Sequence, residues 1–375
     1  MTPRERLLAA YRRQPVDRVP CSPRVWAWMR DHYGDGSLET LLRMAAEFGF
    51  DPHAAVGVHR HVTGLEPAID FELPGVDVSR EESRDGELRA VRRFFRTPAG
   101  TLTDLTKVPP AGDRTYGIAP NPVRTEYLVK GRGDLAALRH LVEPPQPASL
   151  DAYFAAERLF GERGLVELNI MSQMCHRAGD AMAMEDLMVA WHDDRAFFHE
   201  FLDIFQRQMM AEVHQALAGG VRHFFANWYY NSLSAGWSPR IWEEAFAPRL
   251  AELCTAVHAA GGTVDFYDDG KLMAVAELIA AAGVDVLQTL TPPPVGDADL
   301  ELLKRRVGDR VCLMGYVDLL YVIQRGTPAL ITATVRKAIQ TAGPTGFILG
   351  TSDSIRDGTP LENVRAYFAA ARQYG

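Results

Sequence analysis

Chemistry in this chain has to come from short polar clusters that follow apolar runs. In Tyr267-Asp-Asp-Gly-Lys271, adjacent carboxylates follow the apolar stretch Thr263–Phe266, and Thr351-Ser-Asp-Ser354 follows Phe347–Gly350 in the same way. Two carboxyl groups that share a cavity but differ in surroundings hold different pKa values, so one can donate a proton while the other stays ionised. Asp269 and Asp353 are the candidates for that pair. Asp265 stands inside an apolar run, where an inward carboxylate needs a partner or a shifted pKa. Further polar groups follow other runs: His59, Arg60 and His61; Ser172, Gln173, Cys175, His176 and Arg177; Asn227-Trp-Tyr-Tyr-Asn231; Thr289 and Thr291; Tyr316 and Asp318.

Each of these has a plainer reading. Asp268 or Asp269 would serve equally well to cap a helix beginning at Lys271. Asp265 could belong to a structural ion pair, and His59 and His176 could be hydrogen-bonded packing residues. Side chains alternate along extended backbone, so Trp228, Tyr229 and Tyr230 cannot all face one way and at least one ring belongs to the core.

The elements that would position these clusters repeat along the chain. Candidate strands are His53–Val58, Leu165–Met171, His223–Trp228, Thr263–Phe266, Val284–Leu290, Val311–Gly315 and Phe347–Gly350, separated by helix-length amphipathic segments. Ser238-Pro239 reads as an N-cap with proline at the first helical position, and Gly262 and Gly283 close helices. Strands bracketed by helices imply an α/β fold with parallel pairing, either a closed (β/α)8 TIM barrel or an open doubly wound sheet. No GxGxxG or GxxxxGK[ST] turn occurs, which disfavours the open sheet. The expectation is a single barrel domain over residues 1–375, with an N-terminal helical extension capped by Thr2. A β-hairpin inserted over about 70–130 turns at Pro98-Ala-Gly100. In such a barrel the βα loops open on one face, and that face gathers the clusters above.

Composition excludes other classes. With 47% hydrophobic residues the chain can bury a large core, and 40 Lys+Arg against 48 Asp+Glu leave no global attraction to nucleic acid or anionic lipid. The 4 cysteines are widely spaced, without CxxC, as expected of reduced thiols in a cytoplasmic protein. No apolar run reaches the roughly 18 residues of a membrane span, and the charged opening has no signal-peptide core. HExxH, GxSxG and zinc-type cysteine spacing are all missing.

Three segments carry a likeness to a known family: Pro3-Arg-Glu-Arg-Leu-Leu8 with Asp17-Arg-Val-Pro20, Ser238-Pro-Arg-Ile-Trp-Glu-Glu-Ala-Phe-Ala-Pro-Arg249, and Ile348-Leu-Gly-Thr-Ser-Asp-Ser-Ile355 with Gly358-Thr-Pro-Leu-Glu-Asn-Val364. Across essentially the whole chain the sequence resembles the uroporphyrinogen decarboxylase superfamily. The resemblance implies a (β/α)8 barrel and one of two chemistries, decarboxylation of tetrapyrrole acetate arms or methyl transfer involving corrinoids. Decarboxylases of the family carry an Arg-Gln-Ala-Gly-Arg-Tyr stretch, replaced here by Cys21-Ser-Pro-Arg-Val-Trp26, which retains Arg24 alone. Their Leu-Gly-His becomes Leu349-Gly-Thr-Ser-Asp353. The zinc motif His-x-Cys-Gly of the thiol methyltransferases aligns with Tyr267-Asp-Asp-Gly270, so thiolate-held zinc is not expected and the metal content is unknown from sequence.

Thr97-Pro-Ala-Gly-Thr-Leu102 resembles an insertion of the methyltransferase-like branch. The expected enzyme is therefore a methyltransferase acting on a small O- or N-methylated substrate. Its acceptor would be a corrinoid (cobalamin-type) on a separate partner protein, because the chain has no Asp-x-His-x-x-Gly segment. Asp269, Asp353, His176 and Tyr230 are the expected catalytic residues. Arg24, His59, Asn227, Trp228, Tyr229, Asn231, Asp265, Tyr267 and Tyr316 are the expected substrate-binding residues. A decarboxylase (carboxy-lyase) of a carboxylated ring and a non-catalytic corrinoid-binding barrel stay open as alternatives, as does a homodimer.

Overall fold

The computed structural model describes residues 1–64, 69, 72–110, 121–143, 148–228 and 232–375. The chain forms two compact units, one made of Met1–Val58, Ser149–Ile170 and Val213–Gly375, the other of His59–Ala148 and Met171–Glu212.

The first unit is built on a curled, TIM-barrel-like sheet of seven parallel strands: β1 (His53–Gly57), β6 (Leu165–Asn169), β7 (His223–Asn227), β8 (Thr263–Tyr267), β9 (Val286–Leu290), β10 (Cys312–Val317) and β11 (Phe347–Thr351). Each pairs with the next in that order. Strands covered on both faces read as continuous apolar runs, and β8, β9 and β11 are buried at every position. Against that background Glu167, Asp265 and Gln288 are the polar exceptions in the middle of β6, β8 and β9, all three buried. Cys21 makes an isolated parallel bridge to Leu349 of β11. Its carbonyl accepts from Asp51 N–H at 2.7 Å, just ahead of β1.

Three helices precede β1: α1 (Pro3–Tyr11), α2 (Trp26–Tyr33) and α3 (Leu38–Phe48). Thr2 and Glu5 form a capping box on α1, and the face carrying Leu7 and Tyr11 packs on Leu165, Val286, Met314 and Ile348. Arg6 binds Asp17 at 2.6 Å and also the fully buried Asp51, which accepts in addition from Arg18 at 2.8 Å. The helix expected to begin at Lys271 starts instead at Ala276, because Asp297 takes the N–H groups of Leu272 and Met273 at 2.8 and 3.2 Å and holds those residues in a turn. Ser238 caps its helix as expected, accepting from Ile241 N–H.

The second unit contains an antiparallel sheet of β2 (Asp77–Asp85), β3 (Leu88–Thr97), β4 (Gly100–Val108) and β5 (Val123–Glu126). β3 and β4 are joined across Pro98 and Ala99, and their paired residues Arg93 and Asp104 form a buried ion pair. Glu212, fully buried, accepts from the N–H groups of Met171 at 2.9 Å and Ser172 at 2.7 Å. Among the described residues no helix is long and apolar enough to cross a membrane.

Candidate functional site

The C-terminal ends of β6, β7 and β8 close on Asn169, Asn227 and Tyr267, with Asn227 in register with Tyr267 and Asn169 with Phe225. Arg24 reaches the same place from the loop after Cys21. Two backbone bonds hold that loop, Ser22 N–H to Leu349 O at 2.8 Å and Ile355 N–H to Arg24 O at 2.8 Å. Arg24, His53, Asn169, Phe225 and Asn227 line a cavity of about 120 Å³. The Arg24 guanidinium lies 4.8 Å from the Tyr267 ring centroid and 5.6 Å from that of Phe225. Cation–π contacts of this kind contribute about 0.5–2 kcal/mol and orient the planar guanidinium.

Tyr267 leads to the carboxylates. Its hydroxyl donates to Asp269 Oδ2 in a long bond of 3.4 Å, and burial pushes the phenol's pKa up, with the charge of Asp353 adding to it. The Asp269 side chain still reaches solvent, but the protein crowded around it and the Asp353 charge push its carboxyl up as well. Asp353 is partly covered and pairs with Arg356 at 3.2 Å. Ser232 Oγ donates to the Asp269 carbonyl, and Ser234 Oγ accepts from Lys271 N–H at 2.8 Å. Gly270 between them has φ +89°, and a Cβ there would meet Ser234 Oγ at 2.2 Å, so this turn requires glycine.

Deeper in the sheet, one ligand-type atom each of His53, Glu167 and Asp265 lie within 4.8 Å of one another. The two carboxyl groups lie against each other. Burial pushes both of their pKa values up, and Glu167 pushes Asp265 further. His53 is driven down to about 4 by burial, helped by the charge of Arg24. These are the described residues whose chemistry suits a metal ion.

Of the residues expected from sequence, the structure brings Arg24, Asn227, Tyr267, Asp269 and Asp353 together at the strand ends, with Asp265 beneath them. Trp228 belongs to the core: it is fully buried and packs edge-on against Phe266 with 5.8 Å between centroids. Tyr316 does not join the group, because β9 and β10 slip register between Leu313 and Gly315. There Tyr316 takes φ +86°, and its phenol lies beside the Leu300 backbone and Asp299. His59 and His176 belong to the second unit. There His176 sits 3.7 Å from Asp180, and the protein around it together with Arg177 holds it down to about 3, a neutral half-buried imidazole. Tyr229, Tyr230 and Asn231 lie outside the described residues. Unanticipated members are His53, Asn169, Phe225, Glu167 and Gln288. For Glu167 the signal was a lone charge within Leu165-Val-Glu-Leu, while the others carry none in isolation.

Comparison with known proteins bears on this arrangement. The family model described as uroporphyrinogen decarboxylase (URO-D) matches residues 169–374. A uroporphyrinogen decarboxylase of Anaeromyxobacter dehalogenans (strain 2CP-C) is 26% identical over 383 aligned residues, covering 99% of each chain. Among solved structures, a methyltransferase from Methanosarcina mazei superposes with a TM-score of 0.65 at 18% identity, covering 100% of this chain and 99% of that one, a likeness of fold. A B12-independent methionine synthase from Shewanella sp. W3-18-1 is more distant, with a TM-score of 0.47 at 13% identity over 96% of this chain and 95% of that one.

Proposed function

The chain belongs to the uroporphyrinogen decarboxylase family, and from that premise we propose that it is an enzyme of the methyl-transferring kind. In this reading it moves a methyl group from a small O- or N-methylated substrate to a corrinoid held by a partner protein. The observation that supports this over ring decarboxylation is the cavity itself. At about 120 Å³ with one guanidinium, Arg24, in its lining, it suits a small molecule better than a multiply carboxylated macrocycle. Such a macrocycle needs several cations and a pocket of about 300–1,000 Å³.

The corrinoid would supply the nucleophile that accepts the methyl group, and in this reading a partner carries it because the sequence has no Asp-x-His-x-x-Gly segment. This chain's residues do the rest. Arg24, set against Tyr267 and Phe225, and the amides of Asn169 and Asn227 orient the substrate. Asp269 hands its proton to the departing oxygen or nitrogen as the bond to the methyl carbon breaks. That leaves a carboxylate and a neutral leaving group. Asp353, held by Arg356, faces Asp269 and favours the protonated form of its carboxyl. The reading takes the seven strands and the Cys21 segment as a closed (β/α)8 barrel. It treats α1 to α3 as the N-terminal extension, β2 to β5 as the insertion, the whole as one domain, and the cytoplasm as its setting.

The test supplies the purified chain with cob(I)alamin and a panel of methoxylated aromatics and methylamines, following loss of the cob(I)alamin absorbance. Donor-dependent loss supports the proposal. Carbon dioxide released from uroporphyrinogen would overturn it in favour of the decarboxylase reading, which the family relationship favours. Cobalamin binding with neither reaction would point to a barrel that binds without catalysis.

A further inference from the structure

The transfer reading leaves a set of side chains inside the sheet unused. His53 opens β1, while Glu167 and Asp265 are the middle residues of β6 and β8, and one ligand-type atom of each lies within 4.8 Å of the other two. Each is braced by one hydrogen bond. Ser22 Oγ meets His53 Nδ1 at 2.8 Å, Tyr11 Oη donates to Glu167 Oε1 at 2.8 Å, and Gln288 Nε2 donates to Asp265 Oδ2. The opposite atoms are left over. Glu167 Oε2 and Asp265 Oδ1 are buried and meet no N–H or hydroxyl donor among the described residues, the two carboxyl groups having one another as neighbours. Buried carboxylate oxygens without donors are costly, and each such group calls for an explanation.

We infer that His53, Glu167 and Asp265 bind a divalent first-row transition-metal ion of the zinc, manganese or iron(II) type. The donor set decides the class. One imidazole nitrogen with two carboxylate oxygens suits these ions, whereas calcium takes 6–8 oxygens and copper(I) prefers thiolates. A charge of 2+ cancels the two carboxylates in a place where an uncompensated charge is penalised. Metal bonds of about 2.1 Å bring ligand atoms to about 3–4 Å from one another, so only a small contraction of the observed arrangement is needed. The bracing bonds have the form seen behind metal ligands, where a partner on the far atom fixes ring and carboxylate orientation. His53 also lines the Arg24 cavity, which supplies the entry path and room for a fourth ligand. None of this depends on which reaction the enzyme catalyses.

The experiment uses the full chain, stripped with a chelator and titrated with Co²⁺ while its visible d–d spectrum is recorded. The expected result is about one Co²⁺ per chain, displaced by Zn²⁺, with binding weakened at least tenfold in Glu167→Gln and in Asp265→Asn. These are core positions, so Ser22→Ala serves as a milder probe that keeps all three ligands. Loss of the brace is expected to weaken binding about 10-fold or more. Absence of stoichiometric Co²⁺ binding by the unaltered chain overturns the inference without recourse to any variant, and would mean that a shared proton occupies the gap. Unchanged affinity in folded Glu167→Gln and Asp265→Asn overturns it equally.

Discussion

Asp269→Asn exchanges the carboxyl that follows β8, beside the Tyr267 hydroxyl, for an amide of the same shape. The amide oxygen can still accept from the Tyr267 hydroxyl, so the contact seen at 3.4 Å survives, while the transferable proton and the charge facing Asp353 disappear. A positioned general acid contributes about 10²–10⁴ in rate, so kcat should fall about 100- to 10,000-fold, equivalent to about 3–5 kcal/mol of barrier. Stability should move the other way. A carboxyl whose native pKa lies above its unfolded value stabilises the fold below the unfolded pKa, and that benefit is lost as pH rises through the native one. Above the unfolded value, Asp269 facing Asp353 therefore costs stability relative to a neutral side chain, and the amide relieves that cost. The melting temperature of the variant should equal or exceed that of the parent at pH 7, with the advantage gone by about pH 4. The two readouts are donor-dependent cob(I)alamin consumption and thermal unfolding across pH. A kcat within threefold of the parent would refute the acid role, and a variant less stable than the parent at pH 7 would refute the electrostatic picture of the pair.

Two other substitutions probe the framework. Glu212→Gln replaces one of two acceptor oxygens with an amide donor facing a backbone N–H of Met171 or Ser172. It should lower the unfolding free energy by about 2–3 kcal/mol with an unchanged urea m-value; a loss below about 0.5 kcal/mol contradicts the account. His258 bonds Asp285 at 2.9 Å, which raises its pKa, so its contribution is present below about pH 6.5 and fades as pH climbs through the raised value. His258→Asn should therefore lower the melting temperature at pH 5.5 and leave it unchanged at pH 8.5, and a difference independent of pH would show that the ion pair is not its source.

The strand framework was legible because buried parallel strands are apolar throughout and end abruptly in polar residues. Phe347–Gly350 was readable within one residue of β11, and Val284–Leu290 overran β9 by two residues at its start. Asp265 announced itself as a charge inside such a run, and Glu167 sends the same signal. His53 sends none, since a histidine at a strand's first residue looks the same whether it faces the interior or the solvent. Alternation alone could not say which ring of Trp228-Tyr-Tyr turns inward. Tyr316 is re-aimed by a register slip whose one local hint is Gly315. The turn at Lys271 depends on Asp297, a partner distant in sequence that no local pattern reveals. The passage between units at Ile170 falls between Asn169 and Met171 without a proline or glycine to mark it, and the one at Val58 follows Gly57, a residue equally at home at any strand end.

Tyr11 carries a consequence for anyone rearranging this molecule. Its phenol ends on Glu167, so α1 forms a base against Leu165, Val286, Met314 and Ile348 and supplies a hydrogen bond to that buried carboxylate. A minimal scaffold trimmed to the strand-and-helix repeat would lose that base, and a chimera borrowing its front end from a relative would import a foreign one. Recombination points placed after β1 keep helix, tyrosine and carboxylate in one inherited piece only if β6 comes from the same parent.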